Sequence, residues 1–140
     1  MRAFAIAGSV FFSLCLSAAA DDAASLVGTW TRTGFSAAQI GEHPGYAPLT
    51  KPSLIHGNDP DWKMKIDAQE GGSFSGTLTG PNGRPQTILG TFQRDGKHFV
   101  FSTNDDMGSG MVGDDELEYC WSTSSQRFLG TGCATYKRNK

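Results

Sequence analysis

After its first twenty residues the chain consists of short runs in which apolar and polar residues alternate, separated by Gly, Asn and Asp. Between Trp62 and Ala68, for instance, every second residue is apolar and shares one face. A period of two predicts half-buried β-strands, and the 3.6-residue period of a long helix is missing. The pattern predicts strands at 26–33, 62–68, 73–79 and 86–93, one after Asp95-Gly96, a short one around 111–112, and two more at 116–121 and 129–138.

Eight short strands joined by tight turns favour an all-β, antiparallel up-and-down barrel, which removes exposed strand edges by closing on itself. An eight-stranded barrel is either filled by side chains or just wide enough for one small ligand. A small β-sandwich is the alternative architecture.

The Asp95-Gly96 dipeptide is a strong hairpin signal because Gly accepts a positive φ at low cost. With these two residues as the loop, Phe92 faces Phe99 and Gly90 faces Phe101. This register collects the aromatic residues on one face, and a slip by one residue would divide them between both faces.

The segment 34–60 does not fit the alternating pattern. It carries four prolines and four glycines, so we predict a long loop, with a brief strand at Ser53–His56. Loops of this length are usually functional or disordered. We expect a functional cover, because Tyr46, Leu49, Leu54 and Ile55 could pack onto the mouth of a barrel.

Residues 1–20 have the pattern of a secretory signal peptide. Arg2 precedes an apolar stretch, and Ala18-Ala19-Ala20 supplies the small residues of a cleavage site. A membrane anchor is the alternative, but the run is shorter than the roughly 20 apolar residues needed to span. We therefore predict an exported protein, periplasmic or extracellular, whose single mature domain is 21–140 and has no transmembrane segment.

Cleavage would remove Arg2 and change the net charge from −2 to −3. An acidic domain without a basic stripe argues against a nucleic-acid partner.

Cleavage would also remove Cys15 and leave Cys120 and Cys133. Two cysteines in an oxidising compartment predict one disulfide. If the two face each other, Glu116 faces Lys137 and Trp121 faces Gly132, so opposite charges meet on one face and large residues meet small ones on the other.

Gly28-Thr29-Trp30 resembles the G-x-W signature of calycins, the superfamily of lipocalins and avidins. The runs 64–68, 72–79 and 88–92 are similar to the second, third and fourth strands of avidin and streptavidin. The resemblance implies an eight-stranded barrel with an interior ligand site. Ser36 matches a serine of the family's biotin site, whereas Arg32 and Leu78 replace two of its polar residues, so we expect no biotin binding.

The same resemblance implies that Arg138, in the last strand, packs over the ring of Trp30 and closes the barrel. The residues expected to surround an interior pocket are Trp30, Ser36, Phe74, Leu78, Phe92, Phe101, Tyr119 and Tyr136.

No catalytic constellation is recognisable in the sequence. The three histidines lack metal-ligand spacing, and no G-x-S-x-G elbow is present. We expect no enzymatic activity, no cofactor and no metal ion. The function predicted first is the binding of a small apolar or amphipathic ligand. The alternative is a protein-binding or enzyme-inhibitor module that uses the 34–60 segment and the loop tips around a filled barrel; a hydrolase or isomerase is the third hypothesis.

Overall fold

The computed structural model describes residues 23–42 and 47–140, and the predicted signal peptide lies outside these ranges. Within them the regular secondary structure is entirely β. The strands are β1 (Gly28–Gly41), β2 (Leu49–Gly57), β3 (Lys63–Glu70), β4 (Ser73–Thr79), β5 (Pro85–Phe92), β6 (His98–Ser102), β7 (Met107–Val112), β8 (Glu116–Ser124) and β9 (Phe128–Arg138).

The strands form one antiparallel sheet that closes into a barrel. From β3 to β9 each strand pairs with the next one along the chain, and β1 pairs with both β3 and β9. Eight strands, β1 and β3 to β9, therefore make a closed up-and-down barrel, as the alternating pattern predicts. The sandwich alternative is wrong.

The hairpin registers agree with those read from the sequence. Phe92 pairs with Phe99 and Gly90 with Phe101. In β8 and β9 the pairs include Cys120 with Cys133, and these two residues form the predicted disulfide. Gly96 supplies the positive φ of the β5–β6 turn, at 65°.

The prediction that residues 34–60 form one long loop is wrong. β1 continues to Gly41, and its second half pairs with the extra strand β2, which runs from Leu49 to Gly57. Pro52 is accommodated because β2 is an edge strand, where a missing N–H costs little. Tyr46, part of the expected cover, lies outside the described residues.

One end of the barrel is filled, and we call it the closed end. Trp30 is fully buried there and donates its indole N–H to the Leu26 carbonyl oxygen at 2.8 Å. The guanidinium carbon of Arg138 lies 4.2 Å from the centroid of the Trp30 ring. Phe74, Phe92 and Phe99 pack edge to face above it, with ring centroids 5.5 to 5.9 Å apart. The described residues include no helix long and apolar enough to cross a bilayer.

Candidate functional site

A bulge in β1 decides which side chains face the barrel interior. Along β9, Tyr136 pairs with Arg32, but its neighbour Thr135 pairs with Gly34, so Thr33 is an extra residue. An extra residue shifts the alternation by one position. The side chains of Trp30 and Arg32, before the bulge, therefore point inward. After the bulge the inward side chains are Phe35, Ala37 and Gln39, and these three line the cavity described next.

The end of the barrel opposite Trp30 encloses a cavity of about 390 Å³, which we call the open-end cavity. Ligand sites for small molecules usually have volumes of about 300 to 1,000 Å³. One side, the aromatic wall, comes from β1, β8, β9 and the residue before β3: Phe35, Trp62, Tyr119, Trp121 and Phe128. The other side, the acceptor wall, comes from the start of β5 and the β6–β7 connection: Gln86, Asn104, Asp105 and Asp106.

Arg32 is a buried cation on this cavity, with 6% of its surface exposed. Its Nη2 lies 2.6 Å from the Oδ2 of Asp59, and its Nε donates to the Asp59 carbonyl oxygen at 3.3 Å. The guanidinium carbon lies 4.3 Å from the ring centroid of Phe35 and 5.0 Å from that of Trp62. The carboxylate and the two rings together compensate the cost of removing this charge from water.

Two tyrosines lie beneath the cavity. Tyr119 stacks on Tyr136 at 5.4 Å between ring centroids, and their hydroxyl oxygens are 3.2 Å apart. Burial raises the pKa of Tyr119 well above its usual value and raises the pKa of Tyr136 to about 12. Both phenols therefore stay protonated through the neutral range and present a neutral floor.

Hydrogen bonds join the residues of the acceptor wall to one another and to Thr87 and Thr123 on the neighbouring strands. The amide Nε2 of Gln86 donates to Oδ2 of Asp105 at 3.3 Å, and the Thr123 hydroxyl donates to Oδ1 of Asp106. Asn104 accepts the backbone N–H of Thr87 at 2.9 Å. The Oε1 of Gln86 is buried and has no hydrogen-bond partner among the described residues. This side of the cavity is thus fixed in place and rich in acceptor oxygens.

The structure places the residues predicted to form a pocket in three different locations. Leu78 and Tyr119 line the open-end cavity. Trp30, Phe74, Phe101 and Tyr136 are buried in the packed core, and Phe92 packs against that core. The placement of Ser36 in the pocket is wrong, because the bulge turns this side chain to the outer surface.

Sequence reasoning missed most of the residues that do line the cavity. Arg32 was interpreted as a mismatch to the avidin pattern, although its spacing of two from Trp30 would have placed it on the inner face. The alternating pattern does predict Trp62 on the apolar face of its strand, and the disulfide register predicts Trp121 opposite Gly132. Gln86 and Asp105 carried no signal, because polar residues near turns are ordinary.

Within the described residues, one group of possible metal ligands lies within 4.8 Å: Glu118, Cys120 and Cys133. The two sulfurs are bonded to each other, so neither is a thiolate that could hold a metal ion. His98 contacts Asp95 at 2.5 Å on the exposed β5–β6 turn. The side-chain hydrogen bond with His98, followed by the backbone N–H groups of His98 and Lys97, lowers the pKa of Asp95, which makes this pair a turn-stabilising contact.

No family model and no curated protein sequence matches this chain. Among solved structures, a redesigned β barrel is similar, with a TM-score of 0.45 and 16% sequence identity over 82% of this chain and 92% of that one. The closed barrel is the fold that the calycin resemblance implies, and membership of the avidin family stays a prediction.

Proposed function

We propose that this protein is an exported, non-enzymatic binding protein that holds one small amphipathic molecule in the open-end cavity. The observation that carries the proposal is the cavity itself, about 390 Å³ in volume, lined by aromatic rings on one side and fixed polar groups on the other. Sites for small organic ligands combine a mostly apolar surface with a few placed polar groups.

If the protein were instead a protein-binding module, its barrel would be filled and the long 34–60 loop would form the contact surface. The barrel is filled only at its closed end, and much of the 34–60 segment is paired strand. Both observations favour the small-ligand function. Export is supported by the signal-like pattern of residues 1–20 and by the Cys120–Cys133 disulfide, since such bonds persist mainly in oxidising compartments.

A neutral fluorescent probe, N-phenyl-1-naphthylamine, tests this function in the protein produced from its full sequence in an exporting host. We expect one probe to bind per chain with saturable fluorescence enhancement. Ala37→Trp should weaken binding at least about tenfold, because Ala37 lines the cavity and a large ring there occupies the ligand's space.

Ala38→Trp is the matched control. Ala38 is the next residue on the same strand, and it pairs with Leu54, whose side chain is 80% exposed on the outer surface. We expect this variant to bind the probe as the unchanged protein does. Unsaturable binding, or equal binding by the Ala37→Trp and Ala38→Trp variants, would contradict the proposed function.

A further inference from the structure

The guanidinium group of Arg32 has hydrogen-bond donors that the described part of the chain does not use. A guanidinium carries five N–H groups and accepts no hydrogen bond. Nε donates to the carbonyl oxygen of Asp59, and Nη2 donates to its carboxylate, so Asp59 occupies the edge that these two nitrogens share. Of the five N–H groups, the remaining three, two on Nη1 and one on Nη2, have no partner among residues 23–42 and 47–140.

These unused donors are accessible from the open-end cavity. Among the described residues, the only side-chain nitrogen or oxygen that is both fully buried and without a partner is Oε1 of Gln86. Nη1 of Arg32 also lacks a partner there, so part of its surface remains accessible. Arg32 points into the barrel and lines the cavity, and that surface therefore faces the cavity.

The same guanidinium group is held in one orientation. Asp59 contacts Nη2 at 2.6 Å, and the rings of Phe35 and Trp62 lie 4.3 and 5.0 Å from the guanidinium carbon. Ordering a flexible side chain during binding costs free energy, and a side chain that is already fixed avoids that cost. The edge formed by Nη1 and Nη2, which we call the free edge, is therefore a prepared donor site.

We infer that the ligand presents a carbonyl-type oxygen, of a ketone, an amide or a carboxylate, to the free edge of Arg32, with an adjoining aromatic ring against the aromatic wall. This inference rests on the proposed function. The free edge carries two parallel N–H groups, which suit one carbonyl oxygen or the two oxygens of a carboxylate. A head group that only donates hydrogen bonds cannot pair with this edge.

The ion pair with Asp59 does not close the free edge to a carboxylate. A carboxylate there would contact the guanidinium directly, and the guanidinium would separate it from Asp59. Since Coulomb energy falls with distance, the attraction to Arg32 exceeds the repulsion from Asp59, although Asp59 reduces the net gain. The neutral and the anionic head group therefore share one site, and the tighter of the two identifies the charge of the ligand.

Three ligands that share a naphthalene ring isolate the contribution of the oxygen: 1-ethylnaphthalene, 1-acetylnaphthalene and 1-naphthoate. Each is measured at neutral pH by displacement of N-phenyl-1-naphthylamine, whose own affinity is first determined for every variant. We expect 1-acetylnaphthalene to bind about tenfold more tightly than 1-ethylnaphthalene, because its oxygen accepts a hydrogen bond from a charged donor. In a cavity without an accessible donor the order would be the reverse, since burying an unpaired carbonyl group is costly.

Replacing Arg32 by lysine locates the effect. Arg32→Lys keeps a cation for Asp59 but removes the planar fork of N–H groups. It should weaken 1-acetylnaphthalene about tenfold and change 1-ethylnaphthalene by less than about threefold. Arg84→Lys is the matched control, because Arg84 lines the same cavity but is exposed, and we expect it to change neither ligand.

Asp59→Asn provides a test by gain of binding, which a poorly folded variant could not produce. The amide oxygen of asparagine can still accept from Arg32, whereas the negative charge beside the free edge is gone. We expect 1-naphthoate to tighten by at least about threefold relative to 1-acetylnaphthalene.

Tighter binding of 1-ethylnaphthalene than of both oxygen-bearing ligands would overturn the inference. An equal loss of the acetyl and ethyl compounds in Arg32→Lys would do the same, as would an unchanged ratio of 1-naphthoate to 1-acetylnaphthalene in Asp59→Asn. If Ala37→Trp still weakens the neutral probe and Ala38→Trp does not, such results reject the oxygen head group alone. Equal binding of the probe by those two variants rejects the proposed function itself.

Discussion

Tyr119 and Tyr136 show how a single contact sets the chemistry of the cavity floor. Their hydroxyl groups lie 3.2 Å apart in a buried setting, where a phenolate would be poorly solvated. Desolvation is the largest cause of the raised pKa at both residues. The floor beneath the cavity is therefore uncharged, and the charged groups of the cavity lie at its sides.

The raised tyrosine pKa values make stability depend on alkaline pH. The unfolded chain loses phenolic protons near pH 10, whereas folded Tyr136 keeps its proton up to about pH 12. Its contribution to stability is therefore complete below pH 10 and is lost as pH rises through 12. We expect the free energy of unfolding to fall by about 2 kcal/mol from this residue between pH 10 and 12.

Absorbance at 295 nm and denaturant unfolding measure the two sides of this linkage. At pH 11 the folded protein should show at most one ionised tyrosine of its three. In guanidinium chloride all three should ionise near pH 10. Tyr136→Phe should flatten the alkaline loss of stability, and an unchanged slope in that variant would contradict the assignment.

The residues of the cavity were harder to predict than those of the core. Trp30, Phe74 and Tyr136 lie inside the barrel because simple alternation places them there. Ser36 was misplaced because one extra residue at Thr33 reverses the alternation, and a bulge leaves no clear mark in a single sequence. Lining residues from turns, such as Asp105, follow no period, so periodicity cannot find them.

Among the elements, the β8–β9 hairpin was the most predictable. A disulfide between directly opposed residues fixes the register, and the inward pairs such as Leu117 with Tyr136 agree with it. The β1–β2 hairpin was the least predictable. Its Pro and Gly content is typical of a loop, and its pairing depends on the barrel that forms around it.

Replacing the disulfide in Cys120→Ala/Cys133→Ala tests how much of the β8–β9 hairpin depends on it. The cysteines are 13 residues apart, and the chain-entropy estimate for a loop of this size is about 3 kcal/mol. We expect thermal unfolding to shift down by a comparable free energy, measured by circular dichroism. The far-ultraviolet spectrum at 20 °C should not change, because the cross-strand pairs alone specify the register.

Chemical reduction of the unmodified protein is the control and should produce the same shift. Loss of the folded spectrum in the double variant would mean that the disulfide, and not the side-chain pattern, determines the hairpin.

At the scale of the whole molecule, the barrel has two halves with different tasks. The closed end holds the packed aromatic core and the Trp30–Arg138 contact. The open end has a wall completed by β2, which pairs with β1 along one edge only. Closure by β1 and β9 extends the full length of both halves, from Trp30 with Arg138 to Gly41 with Phe128.

Amide hydrogen exchange should separate these halves. We expect amides of β2 to exchange first among the strands and amides of β4 to exchange last, because β4 has partners on both edges and packs on the core. Peptides covering 49–57 and 73–79, followed by mass spectrometry, give this comparison within one sample. Equal protection of the two peptides would show that β2 is as stable as the barrel proper.

The way rings lie over wall glycines has a consequence for altering what the cavity can hold. A methyl group at Gly130 would come within 2.7 Å of the Phe128 ring, and its nearest contacts would all be atoms of that side chain. A methyl group at Gly132 would come within 2.6 Å of the Trp121 ring and within 2.6 Å of the backbone oxygen of Ser36. The contact with the backbone oxygen cannot be relieved by changing a side chain. We therefore expect a larger residue at 130 to be tolerated only with a smaller side chain at 128, whereas this backbone leaves no room for a side chain at 132. A combinatorial library aimed at new ligands gains most by randomising 128 and 130 jointly and leaving 132 as glycine.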